Sequence, residues 1–261
     1  MTGTILEKII EAKRLRVEAA KQLIQIETLI ERFAAPSVPY RLQNSLLNSD
    51  TPNIIAEFKR ASPSKGSINE SLDPPATARQ YEGGGAIAVS VLTEEDFFKG
   101  SLRDLLEIRR AISSPILRKD FVIDEYQIYE SANAGADAIL LIVAALDKNL
   151  LSEFHDLASE LGLDAIVEVH DVPELEIAIE IGAKIIGVNN RNLKTFDVSL
   201  DVSRELIKRA PDKAVMITES GLKTREEILE LRQLGFNGFL VGETLMRSGN
   251  PETELRNLIG K

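Results

Sequence analysis

Ionisable side chains recur in this sequence where short apolar runs come to an end. Asn53–Phe58 leads into Glu57-Phe58-Lys59, Pro115–Lys119 closes on Lys119-Asp120, and Ala165–Val169 carries Glu168. Lys184–Val188 is followed by Asn189-Asn190-Arg191, Ala214–Thr218 by Glu219-Ser220-Gly221, and Gly238–Val241 by Gly242-Glu243. Ala86–Val91 holds Ser90, and only Ala138–Ile142 stays apolar. Burying an uncompensated charge costs several kcal/mol, so these groups must pair with one another or take part in a reaction. The last two runs add a second kind of chemistry. Ser220-Gly221 and Gly242-Glu243 each set a glycine at the end of a run, just before a helix, where free backbone N–H groups can approach a phosphate. A ring of structural salt bridges, with glycines that merely shape turns, is the alternative.

The eight runs are short and apolar throughout, as parallel strands covered on both faces are. The spacers are long enough for a crossover helix, and several end in glycine: Gly83 to Gly85, Gly135, Gly182 and Gly235. Eight such units favour a closed (β/α)8 TIM barrel, an α/β fold whose chemistry sits at the C-terminal ends of its strands. An open doubly wound sheet is the alternative. Ahead of the barrel, Thr4 and Glu7 have capping-box spacing, and Ile9, Ile10, Leu23, Ile26 and Ile30 recur at helical intervals. One amphipathic helix is expected over residues 4–33, closing over the barrel mouth or bottom. With Pro36, Pro39 and Pro52, the segment Ala34–Pro52 reads as an irregular connection. The expectation is one domain over residues 1–261 with an N-terminal helical extension over 1–48.

Composition narrows the partners. A length of 261 residues would suggest two domains at ~150 residues each, but single barrels reach ~250. With 41 acidic against 31 basic residues, the net charge of -10 argues against a nucleic-acid footprint, so an anionic ligand needs local donors. The absence of cysteine excludes disulfides, thiolate metal sites and a cysteine nucleophile. His155, expected on a helix surface, and His170, expected beside the site, are too far apart in sequence to make a metal centre. Gly83-Gly84-Gly85 lacks the dinucleotide spacing, so neither metal nor cofactor is expected. Asn69-Glu70-Ser71 matches a glycosylation acceptor only formally. No signal peptide is read at the N-terminus. The longest apolar run, Ala138–Leu146, is shorter than the ~20 residues of a membrane helix. These features predict a cytoplasmic protein without membrane partners; a monomer or weak homo-oligomer is expected, although no sequence feature fixes the oligomeric state.

The segment Ile54-Ile55-Ala56-Glu57-Phe58-Lys59-Arg60-Ala61-Ser62-Pro63-Ser64-Lys65-Gly66 resembles the first-strand motif of indole-3-glycerol phosphate synthases. Further matches are Leu92-Thr93-Glu94-Glu95 with Phe98, Leu117-Arg118-Lys119-Asp120-Phe121, Val167-Glu168-Val169-His170, Gly187-Val188-Asn189-Asn190-Arg191-Asn192-Leu193, Glu219-Ser220-Gly221 and Gly242-Glu243-Thr244-Leu245-Met246. They keep the family's order over essentially the whole chain. The resemblance implies a phosphorylated small-molecule substrate, 1-(2-carboxyphenylamino)-1-deoxyribulose 5-phosphate, which closes to a ring, loses carbon dioxide and then water.

On that footing Lys119 is the acid that protonates the developing alkoxide, its pKa falling toward neutrality; a salt bridge to Asp120 or Glu57 is its blander alternative. Lys59 holds the substrate carboxylate and, as the resemblance implies, also supplies a proton during dehydration, or simply pairs with Glu57. Glu168 is the base for loss of water, with Glu57 second. Asn189 orients a carboxylate or hydroxyl, or forms a turn, and Arg191 grips the substrate carboxylate or braces Glu168. Ser62, Ser220, Gly221, Gly242 and Glu243 fit substrate and phosphate contacts, Glu243 through its backbone N–H. Phe98, Phe121, Leu140 and Ile142, with Pro63 nearby, form an apolar slot or ordinary core. The competing readings are a Schiff-base aldolase using Lys119 on a ketose phosphate, and a non-catalytic barrel, which predicts a rim without charge.

Overall fold

The computed structural model describes residues 4–47 and 51–261; residues 1–3 and 48–50, the latter holding the expected end of the extension, lie outside the described residues. The helix expected over 4–33 is two helices, α1 (Ile5–Leu23) and α2 (Ile26–Arg32). The capping box of Thr4 and Glu7 starts α1 as expected. Ile24 and Gln25 are extended, with φ of -136° and -71°, and this break turns α2 so that its Leu29 and Val17 of α1 pack on one ring, Tyr126.

The connection expected to be irregular contains α3 (Arg41–Leu47). Its cap is distant in sequence: the Asp164 carboxylate accepts from the backbone N–H of Leu42 (2.9 Å) and Gln43 (3.0 Å). Leu42 and Leu46, 1% and 2% exposed, thereby join the apolar interior of the barrel at its N-terminal end.

Eight parallel strands close on themselves: β1 (Asn53–Phe58), β2 (Ala88–Leu92), β3 (Ile116–Lys119), β4 (Ala138–Ile142), β5 (Asp164–Val169), β6 (Ile185–Asn189), β7 (Val215–Glu219) and β8 (Gly238–Val241). Each pairs with its neighbours in sequence, and β8 pairs with β1. The barrel is therefore closed, not an open sheet. Every expected run lies within two residues of its strand. Alternation divides the core: Ile55, Leu117, Leu140, Ile166, Ile217 and Leu240 fill the interior, while Ile54, Ile116, Ile139, Val167, Ile186 and Phe239 face the helices.

Helices cover the outside as α4 (Pro74–Gly84), α5 (Leu102–Ala111), α6 (Glu125–Ala134), α7 (Lys148–Glu160), α8 (Val172–Glu180), α9 (Asp201–Leu206), α10 (Arg225–Leu234), α11 (Glu243–Arg247) and α12 (Pro251–Ile259). Gly85, Gly135 and Gly235 cap α4, α6 and α10, as their spacing predicts. His155 departs from expectation. It belongs to the buried stripe Leu151, Phe154, His155 and Ala158 of α7, and burial pushes its pKa down. No helix among the described residues is long and apolar enough to cross a membrane.

Truncating Leu46→Ala leaves a cavity at the closed end, and the expected cost is ~2–5 kcal/mol. Urea unfolding measures that loss; a cost below ~1 kcal/mol would mean that α3 does not seal the core.

Candidate active site

Four interior positions lie two residues beyond the interior apolar residues Ile55, Leu117, Ile166 and Ile217, and they carry Glu57, Lys119, Glu168 and Glu219. They come from β1, β3, β5 and β7, the alternate strands that build one layer of a barrel interior. The intervening strands leave room for them. A Cβ on Gly187 would lie 2.5 Å from Glu219 Oε1 and 2.9 Å from Ile166 Cγ2, and one on Gly242 would collide with the Glu57 carboxylate.

Lys119 Nζ sits 3.2 Å from Glu168 Oε2 and 3.1 Å from Glu219 Oε2, and Lys59 forms an ion pair with Glu57. Lys119 thus pairs with neither Asp120 nor Glu57, the partners its sequence neighbourhood suggested. Burial alone would lower its pKa, but Glu168, Glu219 and Glu57 outweigh that and raise it. The expected fall toward neutrality is reversed because three carboxylates converge on one ammonium. Burial also raises both partners, and here their surroundings divide them. Lys119, His170 and a hydrogen bond from Asn189 bring Glu168 below the usual carboxylate range. Burial and the nearby charges of Glu168 and Glu57 prevail over Lys119 at Glu219, pushing it up to about 7. One cavity therefore holds an ionised carboxylate, a carboxyl that titrates near neutrality and an ammonium between them.

Apolar groups line the cavity on another side. Phe98 and Phe121, with ring centroids 6.1 Å apart, join Leu140, Ile142 and Pro63. The buried Glu94 carboxylate presents Phe98 by accepting from the N–H groups of Phe97 (2.7 Å) and Phe98 (3.0 Å). Ile5, Leu6 and Ile9 add the first turns of α1, so the extension covers the mouth of the barrel, one of the two ends expected. Ser62, Lys59, Asn189, Arg191, Ser220, Gly242 and Glu243 also line it.

Of the predicted site residues, Gly221 is the one that does not line this cavity. It faces a neighbouring hollow with Lys65, Arg191 and Lys223, because consecutive left-handed residues, Ser220 (φ 66°) and Gly221 (φ 87°), turn the chain aside. The Arg191 guanidinium donates to the Phe196 carbonyl (3.2 Å) rather than bracing Glu168. Asn189 combines both its readings: its Oδ1 accepts from Arg191 N–H (3.0 Å) while its side chain hydrogen-bonds Glu168. His170 is beside the site, as expected, with Nε2 3.4 Å from Glu168 Oε1. No group of His, Cys, Asp and Glu among the described residues could hold a metal ion.

Sequence reasoning gave Glu219 no role, although its place two residues beyond Ile217 is the same signal that marks the other three. It also passed over Asn190. This buried amide donates to Thr218 Oγ1 (2.9 Å) and to the carbonyls of Glu219 (2.9 Å) and Ser220 (3.2 Å), and its Oδ1 accepts from Ser203 N–H (3.1 Å) and Oγ (2.8 Å). It holds the strained Ser220 turn in place.

Residues 6–258 match the family model described as indole-3-glycerol phosphate synthase. The chain belongs to the indole-3-glycerol phosphate synthase family. The indole-3-glycerol phosphate synthase of Lachnoclostridium phytofermentans is 42% identical, over 97% of this chain and 98% of the relative. That of Syntrophobacter fumaroxidans is 46% identical, over 98% and 97%. Among solved structures, 3-hexulose-6-phosphate synthase from Salmonella typhimurium aligns with TM-score 0.64 at 15% identity, covering 80% of this chain and 97% of that one. The tryptophan synthase α2β2 complex from Pyrococcus furiosus gives 0.60 at 16%, covering 80% and 98%. These two likenesses concern the barrel fold alone.

Strand parity accounts for one motif this indole-3-glycerol phosphate synthase family member carries. In Leu117-Arg118-Lys119-Asp120-Phe121, Leu117 fills the interior and Lys119 and Phe121 reach the cavity. Arg118 pairs with Glu130 (2.7 Å) and Asp120 (3.2 Å), and Asp120 with Lys13 of α1 (2.7 Å).

The raised Glu219 carboxyl has a consequence for stability. The native chain keeps that proton in a pH range where the unfolded chain has released it. Its contribution is therefore full below the ordinary carboxylate range and is lost as pH rises toward about 7. The stability of the protein relative to a Glu219→Gln variant is expected to fall between about pH 4.5 and 7 and to level off above. Urea unfolding across that range checks this, and a difference that stays constant or grows contradicts it.

Proposed function

We propose that this chain makes indole-3-glycerol phosphate from 1-(2-carboxyphenylamino)-1-deoxyribulose 5-phosphate, a carbon-carbon lyase step of tryptophan biosynthesis. The observation that carries the reading is Lys119 held between Glu168 and Glu219 in a cavity with an apolar wall and a glycine-bearing edge.

Ring closure puts negative charge on the ketone oxygen, and a fixed ammonium beside an apolar slot stabilises that charge as it develops. The raised pKa of Lys119 keeps it charged beforehand, and an alkoxide is basic enough to take its proton all the same. Lys59 holds the substrate carboxylate, exchanging its partner Glu57 for it, and Arg191 assists from the cavity wall. Glu168, oriented by Asn189, removes the proton whose loss accompanies departure of water, with Glu57 the second candidate. The aromatic ring lies in the slot of Phe98, Phe121, Leu140, Ile142 and Pro63, with Ser62 at its polar edge. The phosphate takes the Ser220, Gly242 and Glu243 side, Glu243 through its backbone N–H, with Gly221 supporting the turn. Neither a metal nor a cofactor enters the reading. The proposed enzyme acts as one domain in the cytoplasm, a monomer or weak homo-oligomer, in line with its acidic, cysteine-free composition.

A Schiff-base aldolase would need a neutral Lys119 amine, and two carboxylates in contact with it favour the charged form. Borohydride with a ketose phosphate is expected to leave no adduct on Lys119. A non-catalytic barrel would leave the rim uncharged, contrary to the layer described above.

The chain has no tryptophan, so indole fluorescence reports product directly. Turnover of the carboxyphenylamino substrate is expected from the unaltered protein, with a loss of about 10³-fold in a folded Lys119→Ala variant. Glu168→Gln should accumulate the ring-closed hydroxy intermediate. Near-normal turnover in either variant would remove that residue from the mechanism.

A further inference from the structure

We infer that His170, held by Glu174, is the relay through which the reaction's net proton enters the Lys119 cluster from water. This rests on the reaction proposed above, whose balance creates the need. The ketone oxygen leaves as water and so acquires two protons, whereas the carbon beside the ring nitrogen gives up one. The carboxylate departs as neutral carbon dioxide, leaving its bonding electron pair on the ring. One proton per turnover must therefore come from solvent. Of the two groups that handle protons in the cavity, Glu168 is buried, and the 13% of the Lys119 side chain that is exposed faces the cavity that the substrate would fill.

The geometry supplies a path. His170 directly follows β5, whose Glu168 touches Lys119 through Oε2 and faces His170 Nε2 through Oε1 at 3.4 Å. Among the described residues Nε2 is buried without a hydrogen-bond partner, and the Glu168 carboxylate lies within ion-pair distance of it. On the far side of the ring, Nδ1 lies 3.0 Å from Glu174 Oε2, which also accepts from the His170 backbone N–H at 2.8 Å. Glu174 is set by the first turn of α8, where its N–H donates to the capping Asp171 carboxylate at 3.0 Å. Side-chain exposure rises along the series, 3% at Glu168, 13% at His170 and 20% at Glu174.

The charged groups facing the imidazole are Glu168 on β5, Glu174 on α8 and Glu219 on β7. All three are acidic. Burial lowers the pKa of His170, and these carboxylates more than compensate, so the ring is loaded with a proton nearer neutrality than an isolated histidine would be. In the transfer, the Nε2–H bond breaks as an O–H bond forms on Glu168. That O–H breaks in turn as Lys119, having given its proton to the alkoxide, regains its N–H. The neutral imidazole keeps its Nδ1–H on Glu174, so the proton it regains from water between turnovers goes to Nε2. His170 acts through Glu168 and touches no reacting atom, so it is a positioning and relay residue. If it were only a bracket between β5 and α8, its loss would lower stability without a proton-specific signature.

The test compares the unaltered enzyme with His170→Gln, Glu174→Gln and His170→Gly in the indole fluorescence assay across pH 6–9. His170→Gln is expected to lose about 10- to 100-fold in kcat, with KM within about twofold. The deficit should widen as pH rises and protons in solution become scarce. Glu174→Gln should show the same trend more weakly, and added imidazole should restore kcat to His170→Gly. An unchanged kcat, or a deficit that is flat in pH and indifferent to imidazole, overturns the route. An unaltered enzyme that makes no indole removes the reaction itself, and with it the proton demand.

Discussion

One ammonium among three buried carboxylates is the constraint around which this molecule is arranged. Lys119 can neutralise only part of the charge of Glu57, Glu168 and Glu219, so the remainder must be met locally. Lys59 takes Glu57, Asn189 and His170 support the ionised Glu168, and Glu219 holds on to its proton up to about pH 7. None of this is possible unless the side chains are fixed at contact distance. The barrel fixes them by placing all four two residues beyond a packed interior residue, and by leaving Gly187 and Gly242 where bulkier residues would strike the carboxylates. The negative excess then has a chemical use: it keeps one acid charged and one base ionised a few ångströms apart.

The same strand ends serve a second network on their outward faces. Arg118 turns away from the cavity, and it and Asp120, which flank Lys119, join Thr93, Glu130 and Lys13. Asp120 Oδ1 meets Lys13 of α1 at 2.7 Å and the N–H of Phe121 at 2.8 Å. A single carboxylate thus anchors the helix that covers the mouth and orients the aromatic wall beneath it. Closing the cavity and shaping its slot are one structural event.

The parts legible in the sequence were those that repeat. Strand positions followed from apolar runs at regular spacing, and the meeting of Lys59, Lys119, Glu168, Asn189 and Arg191 in one cavity followed from reading what stands at each run's end. What remained hidden depends on partners distant in the chain. Helix α3 has its cap on Asp164, so no local pattern announces it. The pKa of Lys119 could not be given its direction without knowing that Glu219, 100 residues further on, would reach the same nitrogen. Arg191 turned to the Phe196 carbonyl, and Gly221 to the neighbouring hollow, through loop geometry that residue types alone do not specify. His155 was misplaced because one polar residue within an apolar stripe resembles a surface position until the helix is docked.

The apolar cover given by Ile5, Leu6 and Ile9 bears on the order of events in the proposed reaction. Charges interact more strongly where water is excluded, so closure strengthens the pull of Lys119 on a developing alkoxide and favours ring closure first. Once that oxygen is protonated, the substrate carboxylate, held by Lys59 at the edge of the apolar slot, is the remaining reacting charge. Its departure as neutral carbon dioxide relieves the cost of keeping it there. Water loss comes last because the hydroxyl that departs is made only by ring closure, and in the proposed reaction it uses Glu168, which Lys119, His170 and Asn189 hold below the usual carboxylate range. The slot that favours losing a charge and the cluster that maintains one are adjoining walls of one cavity, and this adjacency lets a single site carry out three different steps.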